Sequence, residues 1–468
     1  MNTDVLIVGA GPTGLMMAEE LRVAGVSAVL VDKLPQRSDL SRAGGVQSRT
    51  LAALDQRGLM EPLLARGDFP KSAGHFAGIQ LPLDNVGERL PWRSVPQVDI
   101  EAFFEDHLAV HGIRARRNHE LVDLAQDGDS VTTTFANGTT IRSRYVVAAD
   151  GGHSKVRSLL RADFLGRPGT ETVIAADVRL AGAGREMSHT WSDDGTWVAL
   201  FPLGTDPQGR PLTRLVVGGP GRSVPRDTPI TEEELRDGLR TVFGDRVQLL
   251  ELRYSRRITN AARQAARYRH GRVFLAGDAA HVHLPLGAQG MNTGIQDAVN
   301  LGWKLGAAVH GWAPARLLDT YHDERHPVGA AVLRNVQAQS LIMDWLGTRD
   351  PDVLATRSLF QDLAQLPAVQ RRLGDLLSGT AIRYEMPGAD TGHAAPDVDG
   401  LHELLRSGRG VLFDPADQFG KIADLWSDRV DRVTTGTPIL VRPDGYVCWA
   451  GDPDELEPAL GRWFGEPR

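Results

Sequence analysis

Three short segments carry residues whose types and order suit the binding of a dinucleotide. The first is Gly9-Ala10-Gly11-Pro12-Thr13-Gly14. Gly9 permits a tight turn, Gly11 lets backbone approach a pyrophosphate, and Gly14 lets a helix pack closely on a strand. Asp32 follows 18 residues after Gly14, where a carboxylate can accept hydrogen bonds from ribose hydroxyls. The second segment is Asp150-Gly151-Gly152-His153-Ser154-Lys155-Val156-Arg157. The third is Gly277-Asp278, followed by a loop containing Pro285, Gly287 and Gly290. An acidic side chain delivered beside a helix N-terminus suits a ligand with both polar and anionic parts.

Each segment needs elements to position it, and the hydrophobic pattern supplies them. Asp4 to Val8 is an apolar run before the glycines, and helical spacing follows through Leu15, Ala18 and Leu21 to Gly25. Ala28 to Val31 is a second run ending at Asp32, which completes a βαβ unit. Tyr145 to Ala149 reads as a strand leading into Asp150, and Val273 to Ala276 as one leading into Gly277. A long helical pattern then passes through Asn292, Ala298, Leu301 and Leu305. Between these, a helix is predicted from Arg42 toward Gly58 and another from Asp99 to His111. A strand over Leu121 to Leu124 and a hairpin turning at Asn137-Gly138 follow.

From about residue 171 to 265 the pattern changes to alternating strands. Val173 to Leu180, Ser188 to Ser192, Thr196 to Pro202 and Thr213 to Gly218 read as β, with turns at Asp193 to Gly195 and Asp206 to Gly209. Thr231 to Phe243 reads as a helix with Thr231 as N-cap and Glu234 three residues on. A sheet inserted between two pieces of a nucleotide domain is a natural pocket wall. Trp191, Trp197 and Phe201 either line that pocket or fill its core. Helical pattern spans Leu317 to Leu346 and continues to about Leu377. Residues 378–468 read as a separate α/β module, with strands at Gly410 to Asp414, Pro438 to Val441 and Tyr446 to Ala450 and a last helix over Asp454 to Phe464.

At 468 residues the chain can bury a large core in two or three domains, and a net charge of −7 gives no reason to expect nucleic-acid binding. The cluster Arg114 to Arg117 reads as a solvated turn. Five of the 52 basic residues are Lys, a bias that points to a high-GC bacterial genome. Cys448 is the single cysteine, so neither an internal disulfide nor a cysteine metal cluster can form; this fits a cytoplasmic setting. No signal peptide or membrane span is read. His107 and His111 share a helical face but lack a third ligand, so no metal is expected there; His281 and His283 are a second pair with the look of metal ligands.

The three motifs, in order and spacing, resemble those of the para-hydroxybenzoate hydroxylase family of flavoprotein monooxygenases. Further segments resemble angucycline and anthracycline polyketide hydroxylases and rifampicin monooxygenases: His75-Phe76-Ala77-Gly78, Val95-Pro96-Gln97, the run from His281 to Gly311, Leu317 to Leu333, Val336 to Gln339 and Val441 to Ala450. The likeness implies an α/β fold in three parts. Residues 1–170 and 266–377 would form a Rossmann-like FAD-binding domain with connecting helices. Residues 171–265 would form an inserted antiparallel β-sheet substrate domain. Residues 378–468 would form a thioredoxin-like domain, here without Cys-x-x-Cys and read as structural. One departure stands out: many relatives carry Gly-Gly-Gln-Gly where this chain has Gly287-Ala288-Gln289-Gly290.

By motif match, Gly9, Gly11, Thr13 and Gly14 should meet the FAD pyrophosphate, and Asp32 and Lys33 the adenosine ribose region. Arg42 and Gln97 should contact the FAD chain, Val122 the adenine, and Asp150 and Asp278 its middle. The backbone of Gly290, Met291 and Asn292 should face the flavin pyrimidine edge. Arg42 is also a candidate for steering substrate or flavin, its alternative being a phosphate or surface arginine. Pro285 and Pro202 should shape the pocket beside the ring, Pro285 as a catalytic-site residue and Pro202 with Trp191, Trp197 and Phe201 as substrate-binding residues. The resemblance implies NADPH as a transient co-substrate and one oxygen from O2 transferred through a flavin C4a-hydroperoxide to a polycyclic aromatic polyketide. Alternatives are an antibiotic-inactivating monooxygenase of the rifampicin type, a Baeyer–Villiger oxygenase, and a non-catalytic drug-binding protein. A halogenase is disfavoured because no Trp-x-Trp-x-Ile-Pro stretch occurs. The expected assembly is a monomer or homodimer.

Overall fold

The computed structural model describes residues 1–38, 43–67, 74–81, 92–184, 187–205, 208–396 and 400–467. Its first layer is a mixed sheet whose central strands, Ala28–Val31, Asn2–Val8, Thr140–Ala148 and Val273–Leu275, run parallel. At their C-terminal ends they are built from near-continuous apolar residues because both faces are covered there, whereas the first half of Thr140–Ala148 alternates exposed Thr140, Arg142 and Arg144 with buried neighbours. The three motif loops follow three of these strands at their C-terminal ends, where ligands bind in open parallel sheets. The helix Pro12–Val23 crosses the long helix Gln289–His310 on one face. That crossing is close because Gly294 and Gly302 present no side chain: a Cβ on Gly294 would overlap Thr13, and one on Gly302 would overlap Glu20.

The second layer is a five-stranded antiparallel sheet in the order Ser188–Trp191, Trp197–Thr205, Pro211–Gly218, Thr172–Ala181, Gln248–Thr259. Its period-two pattern divides it into two faces. Ile174, Ala176, Val198, Leu200, Leu215 and Val217 pack under the helix Glu232–Phe243, which buries Leu235 and Leu239 against them. Each of those two leucines contributes roughly 1.5–3 kcal/mol by burial. Thr231 caps the helix as its sequence predicts, accepting from the Glu234 N–H at 3.2 Å. Val173, Ala175, Trp197, Ala199 and Val216 point the other way, toward the first layer. The strand Gln248–Thr259 does not stand out in the sequence because Glu251, Arg253, Arg256 and Arg257 interrupt its apolar pattern.

The chain then returns through helices Thr320–Ile342, Pro351–Leu363 and Pro367–Ser378. The last part forms a four-stranded sheet in the order Val430–Val433, Gly410–Phe413, Ile439–Val441, Val447–Ala450, covered by the helix Pro453–Phe464. Cys448 is buried within it, burial pushes its thiol well up, and its Sγ donates to the Leu440 carbonyl at 3.4 Å. A thiol so held is inert. No helix among the described residues is long and apolar enough to cross a membrane.

Candidate cofactor and substrate site

A cleft of about 2090 Å³ runs from the three motif loops to the inward face of the antiparallel sheet. Pockets for single small ligands commonly measure roughly 300–1,000 Å³, so this cleft has room for a dinucleotide and a second, aromatic molecule.

At the first motif, glycine is demanded for different reasons at each position. A Cβ on Gly9, at φ +106°, would overlap the Ala149 carbonyl, and one on Gly14 would overlap the Gly9 carbonyl. A Cβ on Gly11 would meet no protein atom within 4 Å, because that face opens on the cleft. The first two glycines pack protein on protein, whereas Gly11 leaves a cradle that a phosphate fits. Thr13 lines the same wall and packs against Gly277 and Gly294. Asp32 accepts from the Ala10 N–H and the Leu34 N–H, both at 2.8 Å, and lies 3.5 Å from Arg117. The basic cluster at 114–117 is therefore not only a solvated turn: Arg117 pairs with Asp32 and Glu105 on the cleft wall. Lys33 is exposed on that wall too.

The second and third motifs are tied together although they lie far apart in the chain. Arg157 donates to the Ala279 carbonyl at 2.9 Å and to the Gly152 carbonyl at 2.8 Å. Asp150 accepts from the Lys155 and Val156 N–H groups through Oδ2, while its Oδ1 is buried with no partner. Burial pushes the Asp150 carboxyl up, opposed by Ser154 and those N–H groups. The turn at Gly277, at φ +58°, is held by Asp297, which accepts from its N–H at 3.0 Å. Asp297 is in turn gripped by His281 at 2.9 Å and Arg325 at 2.7 Å. Burial opposes the charge on Asp297, but Arg325 and His281 outweigh it and hold the carboxyl down. Sequence reading missed Asp297 and Arg325; both sit mid-helix, where a polar residue reads as surface. His281 thus holds a turn, and among the described residues no group of three His, Cys, Asp or Glu could hold a metal.

Asp278 is exposed to the cleft, as are Gly290 and Met291 in the first turn of the long helix. Asn292 stands apart from them: its side chain is buried and braces the loop, accepting from the Gln47 N–H at 2.9 Å and donating to the Gly45 carbonyl at 3.0 Å. Gln97 lines the cleft and donates to Glu101 at 2.7 Å. Val122 does not line it: its side chain is 42% exposed, and the neighbouring Leu121 takes the wall. Val122 sits at a bulge, skipped between the pairs Leu121–Phe135 and Asp123–Thr134, so its side chain falls on the outer face. Arg42 lies outside the described residues.

On the aromatic side, Phe201, Pro202 and Pro285 line the cleft. Trp191 does not: it stacks on His189 with centroids 3.9 Å apart and lies under Arg357. Trp197 is fully buried in the floor, donating to the Trp345 carbonyl at 2.9 Å. Sequence reading missed the small residues Ala175, Ala199 and Val216, which put only short side chains on that floor. His75 and Gln80 also line it, directly opposite one another in the hairpin formed by Gly74–Phe76 and Ile79–Leu81.

A βαβ unit with a phosphate-sized cradle here opens onto a pocket with an apolar floor, the layout of a dinucleotide-binding protein with room for a second molecule. Residues 2–336 match the FAD binding domain family, and residues 384–467 match the aromatic-ring hydroxylase C-terminal family. The chain belongs to this family of FAD-dependent aromatic-ring hydroxylases and is a monooxygenase. It is 40% identical to the 12-dehydrotetracycline 5-monooxygenase/anhydrotetracycline 6-monooxygenase of Streptomyces rimosus subsp. rimosus, with 100% of both chains covered. It is 39% identical to a rifampicin monooxygenase of Streptomyces venezuelae, over 99% of this chain and 98% of that one. The crystal structure of CabE, an aromatic hydroxylase from angucycline biosynthesis, matches all of both chains at a TM-score of 0.86 and 36% identity. The residues present fit FAD, since Gly11 leaves a phosphate cradle and Asp150 Oδ1 faces no protein donor.

Proposed function

We propose that the protein hydroxylates a polycyclic aromatic polyketide of the tetracycline, angucycline or anthracycline type, consuming NADPH and O2. The observation that carries this is the continuity of the cleft from the Gly11 cradle to the apolar floor of Ala175, Ala199 and Val216. FAD, when bound, supplies the electron transfer and the oxygen activation. Gly11 and Thr13 hold its pyrophosphate, Asp32 and Lys33 its adenosine ribose, and Asp150 and Asp278 the middle of the molecule. The N–H groups at Gly290 and Met291 stabilise negative charge at the flavin's pyrimidine edge, because they are the unpaired donors of a helix N-terminus. Phe201, Pro202 and Pro285 flank the substrate ring and exclude water.

The architecture we infer is a Rossmann-like FAD domain, residues 1–170 and 266–377, with a substrate domain over 171–265. A thioredoxin-like module over 378–468 has no dithiol chemistry. Its parallel pair of strands followed by an antiparallel hairpin and a last helix supports that reading. We read the protein as cytoplasmic, and as a monomer or homodimer.

The test is FAD-reconstituted protein with NADPH, O2 and a panel of anhydrotetracycline, an angucycline aglycone and rifampicin, followed by mass spectrometry. Gain of one oxygen in a polycyclic phenol, with matching NADPH use, is expected. Oxygen insertion into rifampicin alone would instead assign an inactivating role. NADPH oxidation unaffected by every panel member, with FAD tightly bound, would overturn the substrate class.

A further inference from the structure

The hairpin that carries His75 is fixed from behind. Its tip, Ala77 and Gly78, takes left-handed backbone at φ +52° and +75°. The Ala77 N–H donates to Gln339 at 3.1 Å, and Arg357 donates to the Ala77 carbonyl at 3.0 Å. Phe76 stacks on Phe360 with centroids 5.2 Å apart. Alternation along the strand then turns His75 the other way, onto the cleft. The strand Gly74–Phe76 also packs against the segment Leu286–Ala288, just ahead of the helix N-terminus assigned to the flavin. On the opposite side, the His75 ring lies 5.6 Å from that of Phe201 on the substrate sheet. His75 is therefore placed between the flavin-side loop and the aromatic floor. Its Nδ1 is buried with no hydrogen-bond partner.

We propose that His75 is a substrate-binding residue whose neutral imidazole accepts a hydrogen bond from a phenol hydroxyl of the aromatic substrate. This rests on the polycyclic-phenol reading above and adds a selectivity to it: the enzyme requires a free hydroxyl, not an ether, at that point. Burial holds the imidazole pKa down to about 4, so the ring is uncharged at neutral pH and keeps one acceptor nitrogen. Its buried neighbour His189 is uncharged as well, its pKa lowered to about 3 by burial and by Arg357. Neither imidazole is basic enough to take a phenol proton outright, so the bond orients the ring and enriches its electron density without full transfer. A site built around such a bond rejects analogues that cannot make it, because its own polar group is then left unpaired.

The test uses FAD-loaded protein titrated with 1-naphthol and with 1-methoxynaphthalene, followed by the flavin absorbance change. The readout is the ratio of the two dissociation constants. His75→Phe should lower the preference for the phenol about tenfold. His75→Asn and His75→Gln place an acceptor near Nδ1 and Nε2 respectively; one of them should restore the preference and so identify the nitrogen. If His75→Phe does not hold FAD, the Asn and Gln variants carry the comparison by themselves: a wild-type ratio in one alone supports the proposal, and a wild-type ratio in both or in neither overturns it. An unchanged ratio in His75→Phe, with wild-type FAD affinity, overturns it. Failure of the wild-type protein to bind either naphthalene overturns the polycyclic-phenol reading, and this proposal with it.

Discussion

Two buried regions of this molecule treat charge in opposite ways. Where the C-terminal module meets the long helices, each charged group has answering partners. Arg442 grips Glu324 with two bonds, at 2.6 and 2.9 Å, and donates to Asp444 at 3.0 Å. Lys304 donates to Glu324 and to Asn300, both at 2.9 Å, and Asn300 spans Glu324 and Asp444. Neutral neighbours do leave polar atoms unpaired there, on Gln56 and Trp303, so the contrast is one of charge. In the cleft, Asp150 keeps one oxygen without a partner and Asp278 stands exposed on the wall. The first arrangement is complete within the protein and serves to hold parts together. The second is completed only by a ligand.

The sharpest way to break that comparison is at Arg442. Replacing it with Met leaves Glu324 and Asp444 buried with too little positive charge. We expect a loss of about 3–5 kcal/mol in chemical unfolding. Burial would raise the Glu324 carboxyl, but Arg442 and Lys304 outweigh it and hold it down to about 2 from an ordinary 4.5. Its stabilising share is therefore present above pH 4.5 and disappears as the pH falls toward 2. In Arg442→Met the Glu324 pKa rises, so the acid unfolding limb should move to higher pH. A variant within 1 kcal/mol of wild type with an unmoved acid limb would show that the junction is peripheral.

A second pair of substitutions sharpens the cleft side. Gly14→Ala and Gly11→Ala add the same methyl to the same loop. At Gly14 it meets the Gly9 carbonyl, and a loss of roughly 1–3 kcal/mol of stability is expected. At Gly11 it meets no protein atom, and the backbone, at φ −82° and ψ −177°, is one that alanine adopts freely. Gly11→Ala should therefore unfold like the wild type without FAD, yet bind FAD at least tenfold more weakly, about 1.4 kcal/mol. Fluorescence titration with FAD reads one and thermal unfolding of the apoprotein the other. Equal effects of the two variants on both measurements would refute the assignment of Gly11 to the phosphate.

The glycine fingerprint was legible because backbone geometry restricts which residues can stand there. Four of the five strands of the inserted sheet were legible for a similar reason, since a face packed under a helix imposes a period of two, while charges hid Gln248–Thr259. What the sequence concealed is what depends on distant partners. Glu324 and Arg442 are 118 residues apart, and each alone reads as a solvated charge. Asp297 and Arg325 read as helix surface until Asp297 is seen bridging Arg325 and the Gly277 turn. Trp191 and Trp197 carry the same side chain six positions apart. Only the partners His189 and Arg357 show that Trp191 packs protein, and only Trp345 shows that Trp197 is fixed in the cleft floor, beside Phe201, Pro202 and small residues that no motif announces. Val122 was lost to a bulge, which shifts a strand by one residue without changing its composition.

Ala288 draws the two kinds of region together at the smallest scale. It is the N-cap of the helix Gln289–His310 and takes left-handed backbone, φ 53° and ψ 31°, directly after Gly287 at φ 68°. For a residue with a Cβ this conformation costs roughly 1–2 kcal/mol, which glycine avoids. Ala288→Gly removes that strain but frees the unfolded chain, which offsets roughly 0.4–1 kcal/mol. The net expectation is a gain of roughly 0–1.6 kcal/mol, seen as a small upward shift in the thermal midpoint. The methyl also lines the cleft and would lie 3.9 Å from a Cβ at Gly45, so it narrows the space between the two loops. If the alanine is there to shape the cleft, the glycine variant should be slightly more stable and yet lose selectivity among polycyclic phenols of different width. Greater stability with selectivity unchanged would mean that the strain serves no purpose at this loop.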